Sequence, residues 1–251
     1  MTAALPNRIP KDGPSYLSGD PRERLIVALD VSSAAAAQEI VAAVGDSALT
    51  YKVGMQLYTA VGPQIVRDLV ASGRRVFLDL KYHDIPNTVG AAVAEAEKLS
   101  VSMLTIHAAG STKMIRAAVE AAKTRSDLMV LAVTVLTSMD GQDLETIGMH
   151  HGLPESVVRL AGLALGSGCQ GIVTSAREAA AVRAKLGHQF AIVTPGVRPP
   201  GSSAGDQLRV VTPAEAIAAG ASHIVVGRPI TEAANPAAEA RAILGQISGS
   251  R

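Results

Sequence analysis

The stretch Arg75-Val-Phe-Leu-Asp-Leu-Lys-Tyr-His-Asp-Ile-Pro-Asn-Thr88 changes character twice. Arg75 to Leu80 is a short, mostly apolar run that reads as a buried strand. Asp79, Lys81 and Asp84 then crowd charge at its C-terminal end. Pro86 and Asn87 open a helix that the pattern carries to Leu99. A buried strand that closes in charges and passes into a helix is one unit of a parallel α/β sheet.

The same unit repeats on both sides. Strands are predicted at Leu25–Leu29, Tyr51–Val53, Met103–Ile106, Leu128–Val133, Gly171–Thr174, Ala191–Thr194 and His223–Val226. Ala-rich helical runs follow them: one capped by Ser32 or Ser33, then runs through Ile65–Val70, Met114–Ala122, from Pro154, Ala176–Leu186, Ala214–Ala219 and Ala237–Leu244. The strands are continuously apolar, as a sheet covered on both faces requires. Eight strand–helix units joined by right-handed crossovers in 251 residues predict a (β/α)8 TIM barrel forming a single domain. A doubly wound open sheet is the competing arrangement, but no Gly-x-Gly-x-x-Gly follows the first strand and there is no P-loop.

Composition agrees with this reading. Apolar residues make up 48% of the chain and aromatic ones only 2%, so the core must be built from small and branched side chains. A net charge of +1 carries no electrostatic footprint for nucleic acid or an anionic membrane. No apolar run is long enough to span a bilayer. The one cysteine, Cys169, cannot form an internal disulfide, which suits the cytoplasm, and its small-residue surroundings mark it as a packing residue. Pro6, Pro10, Pro14 and Pro21, with Gly13 and Gly19, punctuate the start. Residues 1–22 are therefore expected to form a flexible leader and 23–251 the barrel.

In a parallel barrel, function gathers at the C-terminal ends of the strands. Polar residues fall there: Asp30 after strand one, Lys52 on strand two, Asp79, Lys81 and Asp84 on and after strand three. His107 follows strand four, Thr137 and Ser138 strand five, Arg198 strand seven, and Gly227-Arg228 strand eight. Asp79 and Lys81 are two apart, so alternation points both to one face, opposite Val76, Leu78 and Leu80. A lone Asp-x-Lys pair reads as a salt bridge holding a loop. Four alternating charges, Lys52, Asp79, Lys81 and Asp84, are costly to desolvate unless they neutralise one another, and such clusters mark functional sites more often than stability devices, which points to proton chemistry.

A phosphate site is expected where barrels often place one, in the loops after strands seven and eight. There stand Thr194-Pro-Gly-Val-Arg198 and Gly227-Arg228, which offer free amides and forked guanidinium donors. The long segment from Arg198 to Thr212 is expected to act as a lid. No histidine pair has zinc spacing, so no metal site is expected. His83 reads as a supporting residue, and His150 and His151 as exposed ones. The residues alone thus define a barrel enzyme for a small phosphorylated anion, without naming its reaction.

The motif Asp79–Thr88 resembles the signature of the orotidine 5'-phosphate decarboxylase family. Ala28-Leu-Asp-Val31, Tyr51-Lys-Val-Gly54, Val133–Ser138, Thr194–Arg198, Gly205-Asp-Gln207 and Val226–Ile230 match it in order, so the resemblance runs from about Arg24 onward. It implies cofactor-independent decarboxylation of orotidine 5'-phosphate to uridine 5'-phosphate, the final step of de novo UMP synthesis. It also implies a homodimer with shared sites. By position, Lys81 would be the proton donor and Asp79 would lie beside the substrate carboxylate. Asp30 and Lys52 would hold the ribose. Asp84, Ile85 and Thr88 would reach the neighbouring subunit's site. Thr137 and Ser138 would face the pyrimidine, and Arg198, Gln207, Gly227 and Arg228 would bind or close over the phosphate. The alternatives are a magnesium-dependent keto-sugar phosphate decarboxylase or aldolase of related fold, and a non-catalytic phosphonucleotide-binding protein.

Overall fold

A computed structural model describes residues 20–123, 127–200 and 211–248. The strands are β1 (Leu25–Ala28), β2 (Thr50–Gly54), β3 (Arg75–Tyr82), β4 (Met103–His107), β5 (Met129–Val133), β6 (Gly171–Val173), β7 (Ala191–Thr194) and β8 (His223–Val226). All pair in parallel, each with its sequence neighbour, and β1 closes on β8, so the sheet is a closed barrel. This is the predicted (β/α)8 architecture.

Around it lie α1 (Ala34–Val44), α2 (Met55–Val61), α3 (Gln64–Ala71), α4 (Pro86–Glu97), α5 (Ser111–Ala121), α6 (Gly141–Thr146), α7 (Leu153–Gly166), α8 (Ala176–Leu186), α9 (Pro213–Ala218), α10 (Arg228–Thr231) and α11 (Pro236–Ser248). Local chemistry sets their starts. Ser33 accepts the Ala36 amide at the head of α1, and Thr212 and Glu215 form a reciprocal capping box on α9. Pro86 and Pro213 sit in first turns, where a missing N–H costs nothing. The short helices α2, α6 and α10 were not foreseen. Each is seven residues or fewer, too short to display a helical period.

Two apolar shells hold the barrel. Ile26, Ala28, Phe77, Met103, Leu131, Val133, Val173, Ala191, Val193 and Val225 pack inside it. A larger cluster, including Val27, Val53, Leu78, Leu104, Ile172 and Ile192, lies between strands and helices. The inner shell tolerates little: a Cβ on Gly171 would stand 2.5 Å from the Ala191 carbonyl oxygen, so only glycine lets β6 approach β7 there. At the floor, the buried Arg183 of α8 donates to the Gly220 and Phe190 carbonyls and the Ser222 hydroxyl, and stacks on Phe190. Cys169 is buried, and burial pushes its thiol pKa up to about 12, in keeping with a packing residue.

Of the expected leader, residues 1–19 lie outside the described residues. Asp20 caps a short 3-10 turn, Pro21–Arg24, that leads into β1. Among the described residues, no helix is long and apolar enough to cross a membrane.

Candidate active site

The C-terminal ends of the strands surround a cavity of about 600 Å3, a size that suits a small-molecule ligand. Asp30, Lys52, Asp79, Lys81, Thr137, Arg198, Gly227 and Arg228 line it, as the strand-end rule predicted. Phe77, Val133 and Val225 from the inner shell form its apolar floor.

Along one wall the charges alternate. The Lys52 ammonium donates to Asp30 Oδ1 at 2.8 Å and lies 3.9 Å from Asp79 Oδ2. Asp79 Oδ1 accepts from Lys81 Nζ at 2.9 Å. The side chains of Lys52 and Asp79 are each 13% exposed, Lys81 25% and Asp30 58%. Two cations and two carboxylates thus sit in series with no net charge. Mutual neutralisation offsets the desolvation that a half-buried ion would otherwise suffer. Gly54 leaves room for the Lys52–Asp30 pair, since a Cβ there would lie 2.9 Å from Lys52 Nζ.

Plain strand alternation does not deliver Lys81. Leu78 pairs with Leu104 and Tyr82 with Ile106, so β3 carries extra residues opposite β4. Within this bulge Lys81 adopts φ 53°, a left-handed conformation uncommon outside glycine. The shared face of Asp79 and Lys81 was predicted correctly, but a bulge produces it. Thr105, fully buried in β4, bonds both the Lys81 amide and Asp79, each at 2.9 Å.

His107, at the end of β4, stacks obliquely on His83 with ring centres 5.2 Å apart. Burial lowers the His107 pKa, His83 and Lys81 lower it further, and Asp79 opposes them. These surroundings favour the neutral imidazole of His107.

The glycine–arginine loops after β7 and β8 complete the lining, with Gly227 beside Asp30. Gly196 turns the β7 loop at φ 75°. Arg198 is buried, its amide bonded to the Val211 carbonyl and its Nη1 to the Val197 carbonyl. Arg228, on α10, is exposed at the rim. A cation-bearing wall and a lysine–carboxylate wall thus face one apolar floor. The arrangement can hold an anionic group at the arginines and act on a second charge at the lysines.

Several expected residues lie elsewhere. Asp84, Ile85 and Thr88 are exposed on the segment from β3 into α4 and do not line this cavity. Asp84 Oδ1 accepts the Ile85 amide at 2.6 Å. In the chain of close charges, Asp30 stands where Asp84 was expected. Ser138 is exposed beside the cavity-lining Thr137. Gln207 and most of the expected lid lie outside the described residues. Thr105, Gln56, Thr174 and Glu232 were missed. Thr174 ends one predicted strand and Gln56 stands three residues past another, where the strand-end rule could have found them. Thr105 had a different signal, a lone hydroxyl inside the apolar run Met103–Ile106. Among the described residues, no three His, Cys, Asp or Glu side chains converge as a metal site requires.

Fold and site together define the class: a (β/α)8-barrel enzyme with a lysine–aspartate cleft at the C-terminal end of its strands. The chain belongs to the Orotidine 5'-phosphate decarboxylase / HUMPS family, whose model matches residues 23–243. It is 50% identical over 229 residues to the orotidine 5'-phosphate decarboxylase of Afipia carboxidovorans, covering 91% of this chain and 96% of that protein. It is 52% identical over 224 residues to the one of Anaeromyxobacter sp. (strain K), covering 89% and 97%. The crystal structure of orotidine 5'-phosphate decarboxylase from Lactobacillus acidophilus matches with a TM-score of 0.80 at 36% identity, covering 89% of this chain and 98% of that one.

Proposed function

We propose that this protein decarboxylates orotidine 5'-phosphate to uridine 5'-phosphate and carbon dioxide, the last step of de novo UMP synthesis. The observation that carries the chemistry is the charge-balanced series Asp30–Lys52–Asp79–Lys81 sharing one cavity with Arg198. Breaking the ring-to-carboxylate bond leaves an electron pair in the ring plane, where the π system cannot absorb it. A fixed ammonium at Lys81 stabilises that charge as it develops and then delivers a proton to the same carbon. The Lys81 amine regains its proton from water. Asp79 crowds the substrate carboxylate, and the repulsion fades as carbon dioxide leaves; this effect ranks second to the ammonium.

The remaining roles are part of the same proposal. Arg198, Gly227 and Arg228 bind the phosphate, with Gln207 closing over it. Asp30 and Lys52 hold the ribose, and Thr137 and Ser138 face the pyrimidine. The phosphate contacts supply binding energy remote from the reacting carbon. The enzyme works as a homodimer in which Asp84, Ile85 and Thr88 complete the partner's site. Their exposure on the single chain, Ile85 as an exposed apolar side chain, supports this reading. No cofactor takes part, and the enzyme acts in the cytoplasm.

Incubation with orotidine 5'-phosphate, followed by loss of the orotate chromophore with and without a chelator, tests the reading. Equal rates in both, matched by uridine 5'-phosphate formed, are expected. An intact chromophore would refute decarboxylation. A rate abolished by chelator would transfer the chain to the magnesium-dependent branch.

A further inference from the structure

We propose that Thr105 is a positioning residue for the decarboxylation, an inference that rests on the function proposed above. Opposite the bulge residues Asp79, Leu80 and Lys81, β4 presents Thr105 alone, because Leu78 and Tyr82 pair with Leu104 and Ile106. The regular backbone ladder is interrupted there. The Thr105 hydroxyl takes its place: its oxygen accepts the Lys81 amide at 2.9 Å. Its one proton goes to Asp79 Oδ1, also at 2.9 Å. That same Oδ1 accepts Lys81 Nζ at 2.9 Å.

One buried hydroxyl therefore fixes both ends of the Asp79–Lys81 pair. It holds the Lys81 backbone at φ 53° and sets the rotation of the Asp79 carboxylate. A left-handed non-glycine residue persists only where its surroundings over-determine it. Thr105 is fully buried, so water cannot substitute for the lost bonds. Without them the Lys81 ammonium stays charged and near the cleft but loses its fixed aim. Misplacement of a catalytic group by a fraction of an ångström lowers kcat far more than it alters ground-state binding.

The test uses the full chain and three substitutions. Thr105→Val keeps the shape and removes the hydroxyl. Thr105→Ser keeps the hydroxyl and removes the methyl. Thr105→Ala removes both. Thr105→Val is expected to lose about 10- to 100-fold in kcat on orotidine 5'-phosphate, with KM within about threefold, and to melt lower than wild type because the Lys81 amide loses its acceptor. Thr105→Ser is expected to melt lower yet keep kcat within about threefold. Thr105→Ala, which differs from Thr105→Ser only in the hydroxyl, should lose kcat as Thr105→Val does, and this pair decides the matter if valine disturbs folding. A role in packing alone would make activity follow melting temperature across the series. That result, or a Thr105→Val kcat within twofold of wild type, overturns the proposal while wild-type turnover leaves the decarboxylase reading intact. A wild-type chain that leaves orotidine 5'-phosphate unchanged overturns both.

Discussion

Lowering the pH from 7 to 4 charges His223 only at the expense of the fold. Its ring opens β8 on the parity of Val225, which packs inside the barrel, and it is 2% exposed. Among the described residues, Nδ1 has no hydrogen-bond partner. Burial, reinforced by Arg24 and Arg75 and opposed by Glu23, lowers its pKa from 6.5 to about 4. The unfolded chain takes up this proton near pH 6.5, the folded chain only near pH 4. Between those values the unfolded state binds more protons, so stability falls as the pH falls. The slope approaches ~1.4 kcal/mol per pH unit, and a gap of about 2.5 units makes the loss about 3 kcal/mol. Above pH 6.5 the group has no effect. Against a total stability of ~5–15 kcal/mol, that is a large share. Urea unfolding of wild type and His223→Leu at pH 7, 6, 5 and 4.5 reads it directly. Carboxylates and His107 titrate in both proteins and cancel in the difference. The stability difference should shift by ~2 kcal/mol or more in favour of the leucine variant by pH 4.5. Parallel loss in the two proteins would refute the argument.

Two further outcomes follow from burial and charge. Arg198→Ala should lower kcat/KM for orotidine 5'-phosphate by about 10- to 100-fold, because it removes a charge-assisted contact held in a buried setting. Arg228→Ala should cost less, because Arg228 is exposed. A larger loss in Arg228→Ala, read from steady-state kinetics, would reverse the assignment of the main phosphate ligand. Cys169 should resist a thiol reagent in the native protein at pH 8 and react fully in denaturant, since its thiol is buried and its pKa raised to about 12. Rapid native labelling would contradict this.

The barrel was legible because each strand is covered on both faces and so is written as a continuous apolar run. Lys52, Asp79 and Arg198 were legible because charge at a strand's C-terminal end has little reason to be there but function. What escaped depends on neighbours distant in sequence. The bulge in β3 exists only against β4, and its hydroxyl brace, Thr105, comes from that strand. Asp84 reads as one of the close charges because it follows Asp79 and Lys81 so closely in the sequence. But β3 continues to Tyr82, and the chain then carries Asp84 out to the exposed rim. Asp30 takes the outer place because β1 and β2 pair Ala28 with Lys52, which brings the next turn of the chain to the Lys52 ammonium. His223 read as an ordinary strand residue, since parity alone could not tell which face of β8 points inward.

The most direct test of the proposed mechanism is Lys81→Ala. The substitution leaves Asp79 beside Lys52 and Thr105 and leaves the arginine wall untouched. Binding of uridine 5'-phosphate, which lacks the reacting carboxylate, should stay within about threefold of wild type by calorimetry. Loss of the proton donor should cost about 10²–10⁴-fold, and loss of charge stabilisation about 10²–10³-fold more. The account predicts kcat reduced by at least about 10⁴-fold with product binding preserved. A kcat within about tenfold of wild type would contradict it.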